Sequence, residues 1–102
     1  MKVQHLLDAV RETTHVRDST FKCWRTAAKP IENISVADVD KTLVNRYWRS
    51  QLTPIGNCSA ETVRRRLSLL SGIWAMAIEE ELIDTEINVW YRASRKIKTD
   101  RD

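Results

Sequence analysis

Residues 59–70 read SAETVRRRLSLL, and this stretch decides the fold. Ser59 is a residue type that caps a helix, its hydroxyl accepting from a first-turn N–H, and Cys58 before it can staple onto Val63. Apolar positions then recur at helical spacing, at Val63, Leu67, Leu70, Trp74, Ala77 and Ile78. The spacing predicts one long amphipathic helix running to the acidic cluster Glu79–Glu81. Three acids at a helix C-terminus oppose the macrodipole, so they read either as a solvated end or as a means of repelling nucleic acid from that surface.

The three arginines inside the stretch cannot share one face. With Val63 at the centre of the core stripe, Arg64 points about 100° away, Arg65 about 200° and Arg66 about 300°. Arg65 is squarely outward, with Ser68 and Gly72 following it on the same line and Glu61 and Thr62 at its N-terminal edge. Arg64 is a flank. Arg66 lies toward the buried side, where it pairs with a neighbouring helix or runs its stem over the core edge. Gly72 costs about 1 kcal/mol relative to Ala in a helix interior, so it calls for close helix packing or for close approach by a ligand backbone.

The rest of the chain has the same character. Of 102 residues only two are Gly and two Pro, so the expectation is an all-α fold, a compact bundle of four to five helices joined by short connections. Residues 2–12 place Val3, Leu6, Leu7 and Val10 on one stripe. A second helix is expected from Asp18 or Ser19, burying Phe21, Trp24, Ala27 and Ala28, showing Lys22, Arg25 and Lys29, and stopping before Pro30. For a third, Ser35 is the expected N-cap, with Asp38 at N3 and Ile34 stapled to Val39. Its core stripe is then Val36, Val39, Leu43 and Tyr47, with Lys41, Asn45 and Arg49 opposite and Trp48 at the margin. The segment TPIGNC, 53–58, is turn chemistry. Trp24 and Trp74 fit core stripes, and Trp90 is the last anchor before a basic tail.

Charge divides the chain unevenly. Residues 1–78 carry twelve Lys and Arg against seven Asp and Glu, 79–90 carry five acids and no base, and 91–102 carry five bases against two acids. That layout suggests a basic working surface and an acidic segment turned away from it. Cys23 and Cys58 have no neighbours at metal-ligand spacing and read as reduced thiols of a cytoplasmic protein. The N-terminus lacks a signal-peptide pattern, and no run approaches the ~18 apolar residues of a spanning helix, so no membrane role is expected. No Gly-rich phosphate loop, HExxH, carboxylate pair or nucleophile triad is present, and no cofactor is implied.

The order ISVADVDKTLVNRYWRSQL, a short loop, then CSAETVRRRLSLLSGIWAMAIEEELIDTEIN resembles the SAM-like core-binding domain of tyrosine recombinases, the phage-integrase family. Ser35 to Val39, Ser59, Thr62, Val63, Ala77, Ile83 and Asn88 carry the likeness, which covers about residues 2–90; Val89 stands where the family often has Pro. The resemblance implies one half of a clamp around double-stranded DNA, with the second and fourth helices against the major groove. The implied DNA-facing residues are Glu61, Thr62, Arg65 and Ser68, with Ser19, Lys22 and Thr26 on the second helix. Residues 1–90 would be the core-binding domain and 91–102 a basic interdomain linker or tail, with Arg92, Arg95, Lys96 and Lys98 along the DNA backbone. The family's cleaving Arg, Lys, His and Tyr belong to a second domain, so this chain is expected to bind and not to cleave. It is expected to be monomeric alone, its parent oligomeric on DNA.

On this reading Lys22, Lys41, Arg64 and the tail hold phosphates, while Thr62 and Arg65 read base edges. Two other readings compete with it. One is a helix-turn-helix regulator with 59–71 as recognition helix, although the 53–58 connection is longer than that motif's turn. The other is a helical protein-interaction module, for which a charged helix face is solvated decoration.

Overall fold

The computed structural model describes residues 1–52, 56 and 58–97, and among these the architecture is four helices, α1 (Val3–Thr14), α2 (Asp18–Ala28), α3 (Lys41–Gln51) and α4 (Ala60–Glu79), with no strand. Short 3-10 turns at Lys29–Ile31, Val36–Asp38 and Ala93–Lys96 complete the order. The all-α bundle is as expected. The Cα radius of gyration is 13.2 Å, close to the ~13 Å of a compact chain of this length.

The central element is α4, which contacts α1, α2, α3 and the C-terminal turn. Its start is the expected one: the Ser59 Oγ accepts from the Thr62 N–H at 3.3 Å, satisfying one of the donors a helix start leaves over. Val63, Leu67, Leu70, Ile73 and Ala77 are fully buried and Trp74 nearly so, whereas Ile78 is only half-buried. Each large aliphatic contributes about 1.5–3 kcal/mol by leaving water. Val3, Leu6, Leu7 and Val10 of α1 and Phe21, Trp24, Ala27 and Ala28 of α2 close the core from the other side. Arg11 ties these two helices, pairing with Asp18 and lying 4.4 Å from the Phe21 ring centre.

The third helix begins later than its sequence suggested. Ser35 opens only the 3-10 turn and makes no side-chain cap, because its neighbours are engaged elsewhere: Val3 N–H donates to the Ile34 carbonyl at 2.9 Å and Val36 N–H to that of Met1 at 2.8 Å. Val39 is extended (ψ 102°), and Asp40 is the working cap, its carboxylate accepting from Leu43 N–H at 2.9 Å. The buried positions shift accordingly to Val44, Tyr47 and Gln51, while Val36 and Leu43 are half-buried.

The C-terminal boundary moves as well. Ala93 and Ile97 are each 4 % exposed and belong to the core, so residues 91–97, expected as linker or tail, fold back onto α4. Asn88 holds this return: its Nδ2 donates to the Ser71 carbonyl at 2.8 Å and its Oδ1 accepts from Trp90 N–H at 3.1 Å. Trp90 is buried edge-on between Tyr47 and Trp74, with ring centroids 5.3 and 5.6 Å away. Lys98, and residues 53–55 and 57 of the expected turn, lie outside the described residues. No described helix is long and apolar enough to cross a membrane.

Candidate nucleic-acid interface

A groove runs between α2 and α4 in two adjoining depressions. The first, about 370 Å³, is lined by Ser19, Lys22, Cys23 and Thr26 from α2 and by Thr62, Arg65, Arg66 and Leu69 from α4. The second, about 300 Å³, continues along α4 with Ser68, Gly72 and Met76 and is floored by Trp24. Arg65 and Leu69 belong to both. The rim is thus hydroxyl and basic, the floor apolar, and no Asp or Glu is among the described lining residues.

Helical spacing explains the rim. Ser19, Lys22, Cys23 and Thr26 are one to two turns apart on α2, as are Thr62, Arg65, Ser68, Leu69, Gly72 and Met76 on α4. Where the two stripes face each other, Phe21 and Trp24 turn inward to the core and the polar positions remain at the surface. The first turn of α4 reaches the groove at Thr62, whose own N–H is taken by Ser59 Oγ, so what this end offers an anion is the positive end of the helix dipole. Thr62 Oγ1 lies 3.0 Å from Ser59 Oγ, so its hydroxyl is oriented by the cap. On α2, Thr26 Oγ1 donates to the Lys22 carbonyl at 3.0 Å.

The three arginines have separate surroundings. Arg65 is exposed on the groove, and no ion pair to it occurs among the described residues. Arg66 is half-buried, donating through Nη1 to Gln51 Oε1 at 2.7 Å and to Cys58 Sγ at 3.2 Å. It therefore fastens α4 to the end of α3, the pairing with a neighbouring helix that its position suggested. Arg64 is half-buried and is not among the groove-lining residues. A Cβ built at Gly72 would meet nothing within 4 Å, so close helix packing does not account for that glycine.

Of the residues singled out from sequence, Ser19, Lys22, Thr26, Thr62, Arg65 and Ser68 come together on one groove. Glu61 is exposed in the first turn of α4 without lining it. Lys41, Arg92, Arg95 and Lys96 are exposed elsewhere: Lys96 Nζ donates to Asn45 Oδ1 on α3 at 3.2 Å, and Arg92 stacks 5.0 Å from the Tyr91 ring centre. The groove also contains residues the sequence reading passed over, Cys23, Leu69 and Met76. Their signal was present, since Leu69 and Met76 fall on the outward arc of α4, about 240° and 220° from Val63, where an apolar side chain needs a reason.

Among the described residues no group of three or more His, Cys, Asp or Glu is arranged to hold a metal. Comparison with protein-family models, with curated proteins and with solved structures finds no match to this chain.

Proposed function

We propose that this chain binds double-stranded DNA sequence-specifically, as the core-binding half of the clamp of a site-specific tyrosine recombinase acting in DNA integration and recombination. One observation carries the reading: of the seven residues that the family resemblance assigns to DNA on two helices, all but Glu61 line a single groove, Ser19, Lys22 and Thr26 facing Thr62, Arg65 and Ser68, with no carboxylate among its described lining residues. Arg65 offers a planar fork that suits guanine O6 and N7, and Thr62 and Ser68 offer hydroxyls on either side of it. Lys22 and the α4 N-terminus supply phosphate contacts. Leu69 on the floor suits a thymine methyl. Lys41, Arg64 and the basic C-terminal turn would add phosphate contacts outside the groove, and the chemistry of strand cleavage would come from a second domain of the parent protein.

A helix-turn-helix regulator fits less well. That motif joins its two helices through a turn of about 3–4 residues, whereas residues 52–59 separate α3 from α4 here. The test is duplex binding by fluorescence anisotropy over a salt series. With about four phosphates neutralised, log K is expected to fall against log salt with a slope of roughly −3.6. Absence of binding at low salt, or a flat salt dependence, overturns the proposal.

A further inference from the structure

A further cavity, about 350 Å³, opens between the Val36–Asp38 turn, the end of α4 and the 82–89 segment. Its walls are mixed: Val36, Val39, Trp74, Leu82, Ile83 and Val89 form the apolar part, with Ser35, Asp84 and Thr85 among them. Among the described residues three large hydrophobic side chains are exposed, and two of them, Met1 at 59 % and Ile87 at 68 %, also line it. Exposed apolar residues gathered around one concavity mark a binding surface, whereas scattered ones do not. The mouth is acidic. Asp84 lines it, Asp38 and Glu86 are exposed beside lining residues, and no ion pair joins any of the three to a base among the described residues.

The third exposed large hydrophobic residue is Tyr91, 64 % exposed. Its setting is the chemical complement of the cavity mouth: Arg92 stacks on its ring, and Arg95 is exposed one turn further. Tyr91 is two residues from Val89, so its Cα lies within about 7 Å of that of a cavity-lining residue. Knob and cavity are neighbours on the surface. A two-fold axis between them lets each copy insert its Tyr91 into the other's cavity, the self-complementary arrangement a two-fold interface demands.

We infer that a second copy of this chain is the occupant of the cavity, through a two-fold contact in which Tyr91 seats among Trp74, Ile87 and Val89 and Arg92 and Arg95 meet Asp84 and Glu86. None of the residues in this contact lines the α2/α4 groove. It departs from the monomer expected of the isolated chain. It also assigns a role to Asp84 and Glu86, which no ion pair engages among the described residues.

Sedimentation equilibrium of the 102-residue chain tests it. Weight-average mass is expected to rise from 11.9 kDa toward twice that value between about 1 μM and about 1 mM, and to rise less at high salt. Tyr91→Ala and Ile87→Asp should each weaken association by about tenfold or more. Charge reversal at Asp84→Lys with Glu86→Lys, or at Arg92→Glu with Arg95→Glu, should abolish self-association. Mixing the two reversed proteins should restore a dimer, since both contacts are then attractive. That restoration cannot arise from misfolded variants. Mass constant at 11.9 kDa across the range, association indifferent to these substitutions, or failure of the mixture to pair overturns the inference. So does a monomer in which a lysine-flanked tryptophan peptide shifts the amide resonances of Ile87 and Val89, because the occupant is then a basic partner segment.

Discussion

The Tyr47 hydroxyl of α3 donates to the carbonyl of Ala27 in the last turn of α2. Carbonyls in a final helical turn have no partner within their own helix, and this one is met by a side chain from a helix twenty residues away in sequence. The bond fixes where α2 ends, and so where the Ser19, Lys22 and Thr26 edge stands relative to α4.

Tyr47→Phe keeps the ring and removes the donor, leaving a buried carbonyl without its partner. The expected loss is about 1–2 kcal/mol, a fall of roughly 5–10 °C in the thermal midpoint. Burial pushes the Tyr47 hydroxyl above its ordinary value of 10.0, opposed by weaker effects from Gln51 and Arg66. A folded state that holds its proton more tightly than the unfolded chain is destabilised as pH rises past the unfolded value. Stability from this group is therefore intact below pH 10.0 and declines above it. Denaturant titrations from neutral to strongly basic pH should show wild type losing ground to Tyr47→Phe only in that upper range.

Gly72 separates folding from ligand binding. With nothing within 4 Å of an added Cβ and a helical backbone, Gly72→Ala should stabilise the protein by about 1 kcal/mol. If the groove holds duplex DNA close to the α4 backbone, the same methyl lowers affinity. A raised thermal midpoint with weakened duplex binding is the expected pair of results. Stabilisation with unchanged affinity would remove Gly72 from the interface.

Much of this was legible in the chain before its structure. The stripe Val63, Leu67, Leu70, Trp74, Ala77 is set by one period with a side-chain cap at its head, and local rules suffice for it. The start of α3 was misplaced because Ser35-x-x-Asp38 and Asp40 are both good caps locally. The choice between them is made by Met1 and Val3, whose backbones take up positions 34–36. No pattern within 33–45 contains that information. The packing of 91–97 was hidden for a similar reason: Ala93 and Ile97 are isolated apolar residues among bases, and only Asn88 reaching back to Ser71 brings them to the core. In the groove, helical spacing found the polar rim and also puts Leu69 and Met76 on the outward arc of α4, while joining them to the α2 residues required knowing that α2 lies alongside.

The end of α4 offers a stability test. Leu82 N–H donates to the Ala77 carbonyl at 2.9 Å and Glu81 N–H to that of Ile78 at 3.1 Å, a Schellman motif whose left-handed position is held by Glu81 at φ 56°. Glycine is the usual occupant, and a third acid there also faces the negative end of the helix dipole. Glu81→Gly should therefore stabilise by about 1 kcal/mol, strain relief outweighing the entropy of the added glycine. Glu81→Gln, which keeps the strain and removes the charge, should give about 0.3–1 kcal/mol or less. Thermal midpoints of the two variants divide the strain from the charge.

Arg65 and Arg66 are adjacent, and their substitutions should have opposite consequences. Arg66→Met preserves most of the apolar stem but leaves Gln51 Oε1, on the one polar residue that is buried among those described, without its 2.7 Å partner. It should cost about 1–3 kcal/mol of stability. Duplex affinity, measured where the variant is fully folded, should change little. Arg65→Ala removes an exposed side chain and should leave stability within about 0.5 kcal/mol. If Arg65 reads a base, its loss should cost about 1–3 kcal/mol of binding, and the cost should vary with duplex sequence. Lys22→Ala should instead weaken all duplexes alike and flatten the salt slope by about one. An Arg65→Ala protein that binds every duplex as wild type does would show that the outward arginine of this stretch serves solubility alone.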